Sequence, residues 1–322
     1  MTSNHMVTGA AGSIGSELVR QLLNRGISEK ITCVDHNENG LFTLQQSLGA
    51  CKEQLEYVTA DVSNSYWLDD PRIETVETVF HAAAYKHVPL SQSNSLYYFM
   101  NNIRGMLRVL DFVEEKNAEL VLVSTDKAVY PNNVMGYTKR LCELLLLHRR
   151  RQTEMIVRFG NVLNSNGSVI PIFRKQIASG GPVTVTTAET SRFFMSINQA
   201  VELIINAYEA PRREKISILD MGPEVKIDTL ARNMIEESGH RVVSKGKKQS
   251  DQEIEIEYIG LRPGEKEREL LTYGVLTEND LVTAVHEDIS PSDDLIEYIV
   301  ECERNSVLPE FSSIDWVNGC RR

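Results

Sequence analysis

Met6 to Gly15 reads MVTGAAGSIG, and Ser16 to Leu23 continues as an amphipathic helical pattern. Glycines at 9, 12 and 15 between an apolar run and a helix constrain the chain more than any other feature. They predict a tight turn without side chains, so that a diphosphate can approach the free N–H groups of the helix N-terminus. The next strand, Ile31-Thr32-Cys33-Val34, ends in Asp35, an acidic residue at the position that binds a ribose diol in such a unit. Gly9, Gly12, Ser13, Ile14, Gly15 and Asp35 are therefore the expected dinucleotide contacts. A carboxylate at that strand end would repel a 2′-phosphate, and Asp35-His36-Asn37-Glu38 brings no Arg or Lys. NAD is expected rather than NADP. Few residues precede Gly9, so the first strand is short, and the sequence leaves open an upstream segment.

Beyond this turn, strands and helices alternate. Glu56 to Asp61 reads as a strand whose end, with Val62, is set to meet an adenine edge. Val76 to Ala84 is another, and its alanines (Ala82, Ala83, Ala84) permit close approach to a cofactor. Lys86 and His87 follow in a loop, and His81 reads as a satisfied strand-end histidine. Asn101 to Gly105 opens a long helix with Met106, Val109, Leu110 and Val113 as its core stripe. Leu120–Val123 and Ile156–Phe159 supply two more strands. Such alternation implies a parallel sheet with right-handed crossovers.

After residue 160 the pattern changes. Gly160 to Ser168 is a polar loop, Val169 to Phe173 begins a helix, and Val183 to Thr187 is strand-like. Ser191 to Met195 leads into the helix Asn198 to Tyr208, and Ile216 to Met221 returns as a strand. A helix (Ile227 to Ser238), a solvated loop (Val242 to Asp251) and a strand (Ile254 to Ile259) precede Gly260-Leu261-Arg262-Pro263-Gly264-Glu265-Lys266. The expected fold is α/β, a Rossmann-type doubly wound parallel sheet with a smaller C-terminal substrate-binding lobe. Residues 1–160 form the dinucleotide domain, with 195–221 returning to it; residues 161–194 and 222–322 form the lobe.

Composition narrows the function classes. The 322 residues carry a formal net charge of −11 without basic blocks, which argues against nucleic acid as a partner. Five scattered cysteines without ligand-type spacing read as reduced thiols of a cytosolic chain and suggest no metal site. There is no signal peptide and no apolar run near the roughly 18 residues that would span a bilayer. A soluble, cytoplasmic enzyme is the expectation.

The chemistry concentrates in Ser124 to Lys139, STDKAVYPNNVMGYTK. It follows the strand Leu120–Val123 and runs through a Pro-Asn-Asn turn into the helical pattern Leu141 to Leu147. Two hydroxyls (Ser124, Thr125), a carboxylate (Asp126) and an amine (Lys127) thus stand at a strand's C-terminal mouth, where open α/β sheets bind ligands.

Seven segments occur in order along the chain: TGAAGSIG, HAAAYKHVP, STDKAVYPNNVMGYTK, RFGNVL, PVTV, SRFFMS and GLRPGEK. Together they resemble the extended short-chain dehydrogenases, and within them the UDP-N-acetylglucosamine 4,6-dehydratases of capsule and flagellin glycosylation. The resemblance implies a redox-neutral reaction: hydride leaves C4, the ketone acidifies C5, water leaves across C5 and C6, and hydride returns to C6. By resemblance, Asp126 is the acid at the C6 oxygen and Lys127 the base at C5. Thr125 hydrogen-bonds the C4 oxygen and Lys139 holds the nicotinamide ribose. Asn161, Arg192, Arg262 and Glu265 are implied to hold UDP, and Lys86 lies in the substrate loop. Arginine suits a diphosphate because its planar fork makes paired, charge-assisted bonds.

One departure stands out. Short-chain dehydrogenases carry Tyr-x-x-x-Lys, but the position four before Lys139 is Met135, which accepts no proton. The membrane-linked branch of these dehydratases is similar in having Met there, and Asp126 is the candidate to take the C4 proton as well. Tyr137, about 200° around the helix from Met135, reads as structural. Two other functions stay in view: a nucleotide-sugar 4-epimerase, which generally retains the tyrosine, and a catalytically silent NAD-binding regulator, suggested by Met135. The expected partners are a UDP-N-acetylhexosamine and a second copy of the chain, as a dimer or hexamer.

Overall fold

The computed structural model of the chain describes residues 3–149, 151, 153–163, 168–210, 215–273, 282–285, 289–316 and 319–321. In chain order its main elements begin with β1 (Ser3–Thr8), α1 (Ser13–Arg25), β2 (Ser28–Asp35), α2 (Glu38–Ser47), β3 (Leu55–Thr59) and β4 (Thr78–His81). Next come α3 (Val88–Ser93), α4 (Ser95–Phe99), α5 (Gly105–Glu115), β5 (Glu119–Val123), α6 (Val134–Arg149) and β6 (Glu154–Arg158). They are followed by β7 (Asn161–Leu163), α7 (Val169–Ala178), β8 (Val183–Val185), β9 (Ser191–Arg192), β10 (Phe194–Ser196), α8 (Ile197–Glu209) and β11 (Ile216–Leu219). The last are β12 (Val225–Lys226), α9 (Ile227–Glu237), β13 (Arg241–Ser244), β14 (Glu253–Tyr258), β15 (Val282–Val285) and α10 (Asp293–Arg304).

The chain divides into two compact units. The first comprises Met1–Phe159, Asn198–Asp220 and Leu270–Arg322. Its sheet has the order β15-β11-β6-β5-β4-β1-β2-β3. Seven of these strands run parallel, and β15 joins the edge antiparallel to β11. Strand order reverses at β1, which places the C-terminal ends of β1 and β4 beside a topological switch point. The strands ELVLV and EMIVR are continuous apolar runs because helices cover both faces of such a sheet. Helix α6 is buried on nearly every side, from Leu141 through Leu147, and is a central rather than a surface helix.

Two expectations change in this unit. Asn101 to Arg104 do not open a helix: they form a π-turn, Met100–Arg104, inside a helical run that begins at Ser95. The second change concerns residues 270–322, which the sequence reading put in the substrate lobe with 222–269. They group with the first unit because the apolar stripe of α10 (Leu295, Ile299, Cys302) enters the same core as Leu141, Leu144 and Leu145 of α6.

The second unit is Gly160–Ile197 with Met221–Glu269. A parallel three-stranded sheet, β13-β14-β8, packs with α7 and α9 around Phe173, Ile177, Val183, Ile227, Ile235 and Ile254. The stretch from Val242 was expected to be a solvated loop, but Arg241–Ser244 pairs with Glu253–Ile256 and Val242 packs against this core. Short pairs β7–β10 and β9–β12 complete the unit. Residues Asn164 to Gly167 of the expected nucleotide loop lie outside the described residues.

Candidate active site

The turn after β1 is as tight as its glycines suggest. Gly9 has φ +71° and donates its N–H to Val34 O at 2.8 Å. A Cβ on Gly9 would stand 2.7 Å from Ala83 N, and one on Gly15 would stand 2.1 Å from Gly9 O. Both positions therefore exclude a side chain, and Ala82 and Ala83 are drawn against the turn, with Ala82 N donating to Thr8 O at 3.1 Å. Gly12 caps α1 without a side-chain bond, ahead of Ser13 and Ile14. Asp35 is oriented by two amides: Oδ2 accepts from Ala11 N and Oδ1 from Asn37 N, each at 2.9 Å. Each oxygen keeps a lone pair for a hydroxyl. A cradle that a Cβ would fill, a helix N-terminus without a side-chain cap and a fixed carboxylate fit a dinucleotide with a free ribose diol. Asp61 is exposed, its Oδ1 accepting from Ser63 N at 2.8 Å, whereas the Val62 side chain belongs to the core. Ala84 is half-buried and Lys86 exposed in the loop after β4. His81 is buried with Nδ1 2.7 Å from Thr8 Oγ1, the satisfied strand-end histidine anticipated.

At the mouth of β5, Thr125, Asp126 and Lys127 form one hydrogen-bonded cluster. Asp126 is fully buried, and its Oδ1 accepts from Thr125 Oγ1 at 2.8 Å and from Lys127 Nζ at 3.0 Å. Its Oδ2 is buried with no hydrogen-bond partner among the described residues. A buried acceptor costs free energy when unpaired, so this oxygen has capacity for a further hydrogen-bond donor. Lys139 is buried as well and donates from Nζ to Val123 O at 2.6 Å. Burial lowers its pKa, opposed by Cys142 and Glu143. Met135 is buried with Tyr98 and Val134 in a small apolar cluster. Tyr137 stacks on Phe311 and Trp316 with centroids 4.4 and 4.8 Å apart, which makes it structural as expected.

Behind this loop stands a group that the sequence reading did not single out. Glu143 of α6 is fully buried between Arg140 (2.9 Å) and Arg158 (2.7 Å), both also fully buried. Burial pushes its carboxyl up, but Arg158, Arg140 and the Ser124 hydroxyl bring it down to about 2. The Ser124 hydroxyl is engaged by this group, its Oγ donating to Glu143 Oε1 at 2.6 Å. Asn102, in the π-turn, accepts from Tyr85 N at 2.8 Å and donates to Tyr85 O and Thr138 Oγ1, tying the loop before Lys86 to the helix of Lys139. A signal was available: charged Arg140 and Glu143 sit inside the apolar run of α6, and Arg158 ends a buried strand.

In the second unit, Arg192 and the GLRPGEK segment come together. Arg192 Nη1 donates to Ser191 O (2.6 Å) and Glu267 O (3.0 Å), and Nη2 donates to Lys266 O (2.7 Å). Glu265 closes its own turn, Oε2 accepting from Arg262 N at 2.9 Å while Glu265 N donates to Arg262 O at 3.0 Å. The Arg262 side chain is exposed, and Asn161 is half-buried on β7.

This sheet order and glycine cradle define a Rossmann-type fold of the extended short-chain dehydrogenase kind. Residues 5–290 match the model of the family described as polysaccharide biosynthesis protein, and the chain belongs to that family. It is 43% identical over 270 residues to the capsular polysaccharide biosynthesis protein CapD of Staphylococcus aureus, covering 81% of this chain and 43% of that one. The chain thus spans less than half the length of this relative. It is also 33% identical over 303 residues to a UDP-glucose 4-epimerase of Rickettsia canadensis, covering 91% of this chain and 81% of the other. In fold it is similar to DesIV, a dTDP-glucose 4,6-dehydratase of Streptomyces venezuelae solved with NAD and TYD bound. The TM-score is 0.69 at 20% identity, covering 84% of this chain and 88% of that one. Among the described residues no helix is long and apolar enough to cross a membrane.

Proposed function

We propose that the chain is an NAD-dependent UDP-N-acetylhexosamine 4,6-dehydratase, a hydro-lyase that forms a 4-keto-6-deoxy sugar nucleotide for surface glycan synthesis. The observation that carries this reading is the buried, unpartnered Oδ2 of Asp126 in hydrogen-bonded contact with Thr125 and Lys127. Elimination of water needs an acid and a base on adjacent carbons, and an adjacent carboxyl and amine supply both. NAD, when bound against Gly9, Gly12, Ser13, Ile14, Gly15 and Asp35, supplies hydride acceptance and return.

The remaining steps belong to the chain. Asp126, starting as the carboxylate, takes the C4 hydroxyl proton, while Thr125 hydrogen-bonds the C4 oxygen. Lys127 takes the C5 proton. Asp126 passes its proton to the C6 oxygen, which leaves as water, and Lys127 returns a proton to C5 as C6 is reduced. Both groups end as they began. Asp126 in this role removes the need for a tyrosine at Met135. Lys139 holds the nicotinamide ribose, and Asn161, Arg192, Arg262, Glu265 and Lys86 take the UDP-sugar.

The test is incubation with UDP-N-acetylglucosamine, with and without added NAD, followed by mass spectrometry. A product lighter by one water supports the dehydratase. Unchanged mass with altered sugar stereochemistry overturns it in favour of a 4-epimerase, the reading favoured by similarity to an epimerase over 91% of the chain.

A further inference from the structure

The loop that carries Thr125, Asp126 and Lys127 is held from behind at both of its ends. At the near end Ser124 Oγ donates to Glu143 Oε1 at 2.6 Å. At the far end Tyr273, which belongs to the segment that re-enters the first unit after Glu269, reaches the loop with its hydroxyl. Tyr273 Oη donates to Ala128 O at 2.9 Å and accepts from Tyr130 N at 3.1 Å. Tyr130 has φ +44°, a left-handed conformation that a bulky residue rarely adopts and that persists only where its surroundings impose it. The two rings meet edge to face with centroids 4.6 Å apart. The Tyr273 ring lies under the Arg140 guanidinium, 4.6 Å from centroid to Cζ, and Arg140 is paired in turn with Glu143. Burial pushes the Tyr273 phenol up to about 12, so it stays a proton donor to Ala128 O near neutral pH.

We propose that Tyr273 is a positioning residue, which with Arg140 and Glu143 clamps the 124–130 loop and thereby sets where the Asp126 carboxylate and the Lys127 amine stand. It touches no reacting atom in this role. It fixes the exit of the loop, as Glu143 fixes the entry. A displacement of about 1 Å in an acid–base pair is enough to slow chemistry roughly a hundredfold without changing ground-state binding.

The kinetic part of the test rests on the dehydratase reading; the exchange part does not. Tyr273→Phe in the full chain removes the hydroxyl and keeps the ring over Arg140. The expected result is a kcat for dehydration about tenfold lower with KM within about twofold, because the lost interaction acts on the acid–base geometry and not on UDP binding. Amide hydrogen exchange of the peptide covering residues 124–131 should quicken about tenfold, while peptides from β1 and β2 keep their wild-type rates. Unchanged exchange in 124–131, or a wild-type kcat in the variant, overturns the proposal. A fall in kcat matched by exchange rising throughout the first unit also overturns it, since that is general destabilisation. A wild-type chain inert toward the sugar nucleotide counts against the dehydratase reading instead, and the exchange result then decides the positioning role by itself.

Discussion

Asp126 and Lys127 are adjacent in sequence and in contact through Oδ1 and Nζ, so each can be removed while the other keeps its backbone position. In the proposed mechanism Asp126→Asn keeps the shape and abolishes proton transfer, and Lys127→Ala removes the C5 base. Each is expected to lower dehydratase turnover by roughly 10²–10⁴-fold while leaving the dinucleotide bound, as measured by product mass and by NAD retention through gel filtration. Turnover of Lys127→Ala at the wild-type rate would remove Lys127 from the mechanism. Met135 permits a different substitution. Its side chain packs with Tyr98 and Val134 and is 4% exposed, so Met135→Tyr adds volume to a closed cluster and is expected to cost about 1–3 kcal/mol, read from the urea midpoint. Because Asp126 already covers the C4 proton in this scheme, activity should rise little. A large gain would show that the C4 hydroxyl lacks its base in the native chain.

At the scale of elements, the site depends on how closely α6 approaches the loop after β5. A Cβ on Gly136 would stand 2.5 Å from Lys127 O, a backbone atom that cannot move aside as a side-chain tip could. Gly136→Ala must push the loop or the helix outward. Helix propensity alone would favour alanine at this position, so a net loss isolates the cost of the clash. The expected outcome is about 1–3 kcal/mol of destabilisation and a kcat at least about tenfold lower. Equal stability and turnover in the variant and the wild type would show that the approach is looser than described. This contact also separates what was legible from what was not. The apolar period of Leu141 to Leu147 announces the helix, and Thr125-Asp126-Lys127 announces hydroxyl, acid and amine side by side at a strand's mouth, because both are local patterns. The π-turn at Met100–Arg104 was not legible, since Asn102 there answers to Tyr85 and Thr138, partners 17 and 36 residues away.

For the whole molecule, buried ionisable groups set the response to pH. His5 is pressed down to about 4 by burial, against the opposing charge of Glu77. His81 is pressed to about 3 by burial and by Lys139. Unfolded, each ring takes its proton near pH 6.5. The folded chain withholds both protons until well below that, so the stability they contribute is full above pH 6.5 and declines as pH falls. The expected loss is about 1.4 kcal/mol per pH unit for each ring over this window, measurable as a drop in urea midpoint between pH 7 and pH 5. His5→Gln with His81→Gln should flatten the slope; a wild-type chain with no slope there would contradict the burial of these rings. Glu143 acts lower. Its folded value of about 2 lies below the ordinary carboxylate value, so its contribution is present above about pH 4.5 and is lost as pH falls toward 2.

Local sequence carries the parallel sheet, the glycine cradle, Asp35 at the strand end and the Thr125-Asp126-Lys127 run. Each is written in neighbouring residues: an apolar period, a turn without side chains, or an acid beside an amine. It also announced Arg192 and the GLRPGEK segment, but not that Arg192 would direct three bonds to carbonyls around Lys266 and Glu267. Long-range packing alone sets that residues 270–322 return to the first unit, that Glu143 lies between Arg140 and Arg158, and that Tyr273 reaches Ala128 across 145 residues. These arrangements answer to burial. A charge or hydroxyl removed from water must find its partner wherever the packed chain brings one, and no local period records that search.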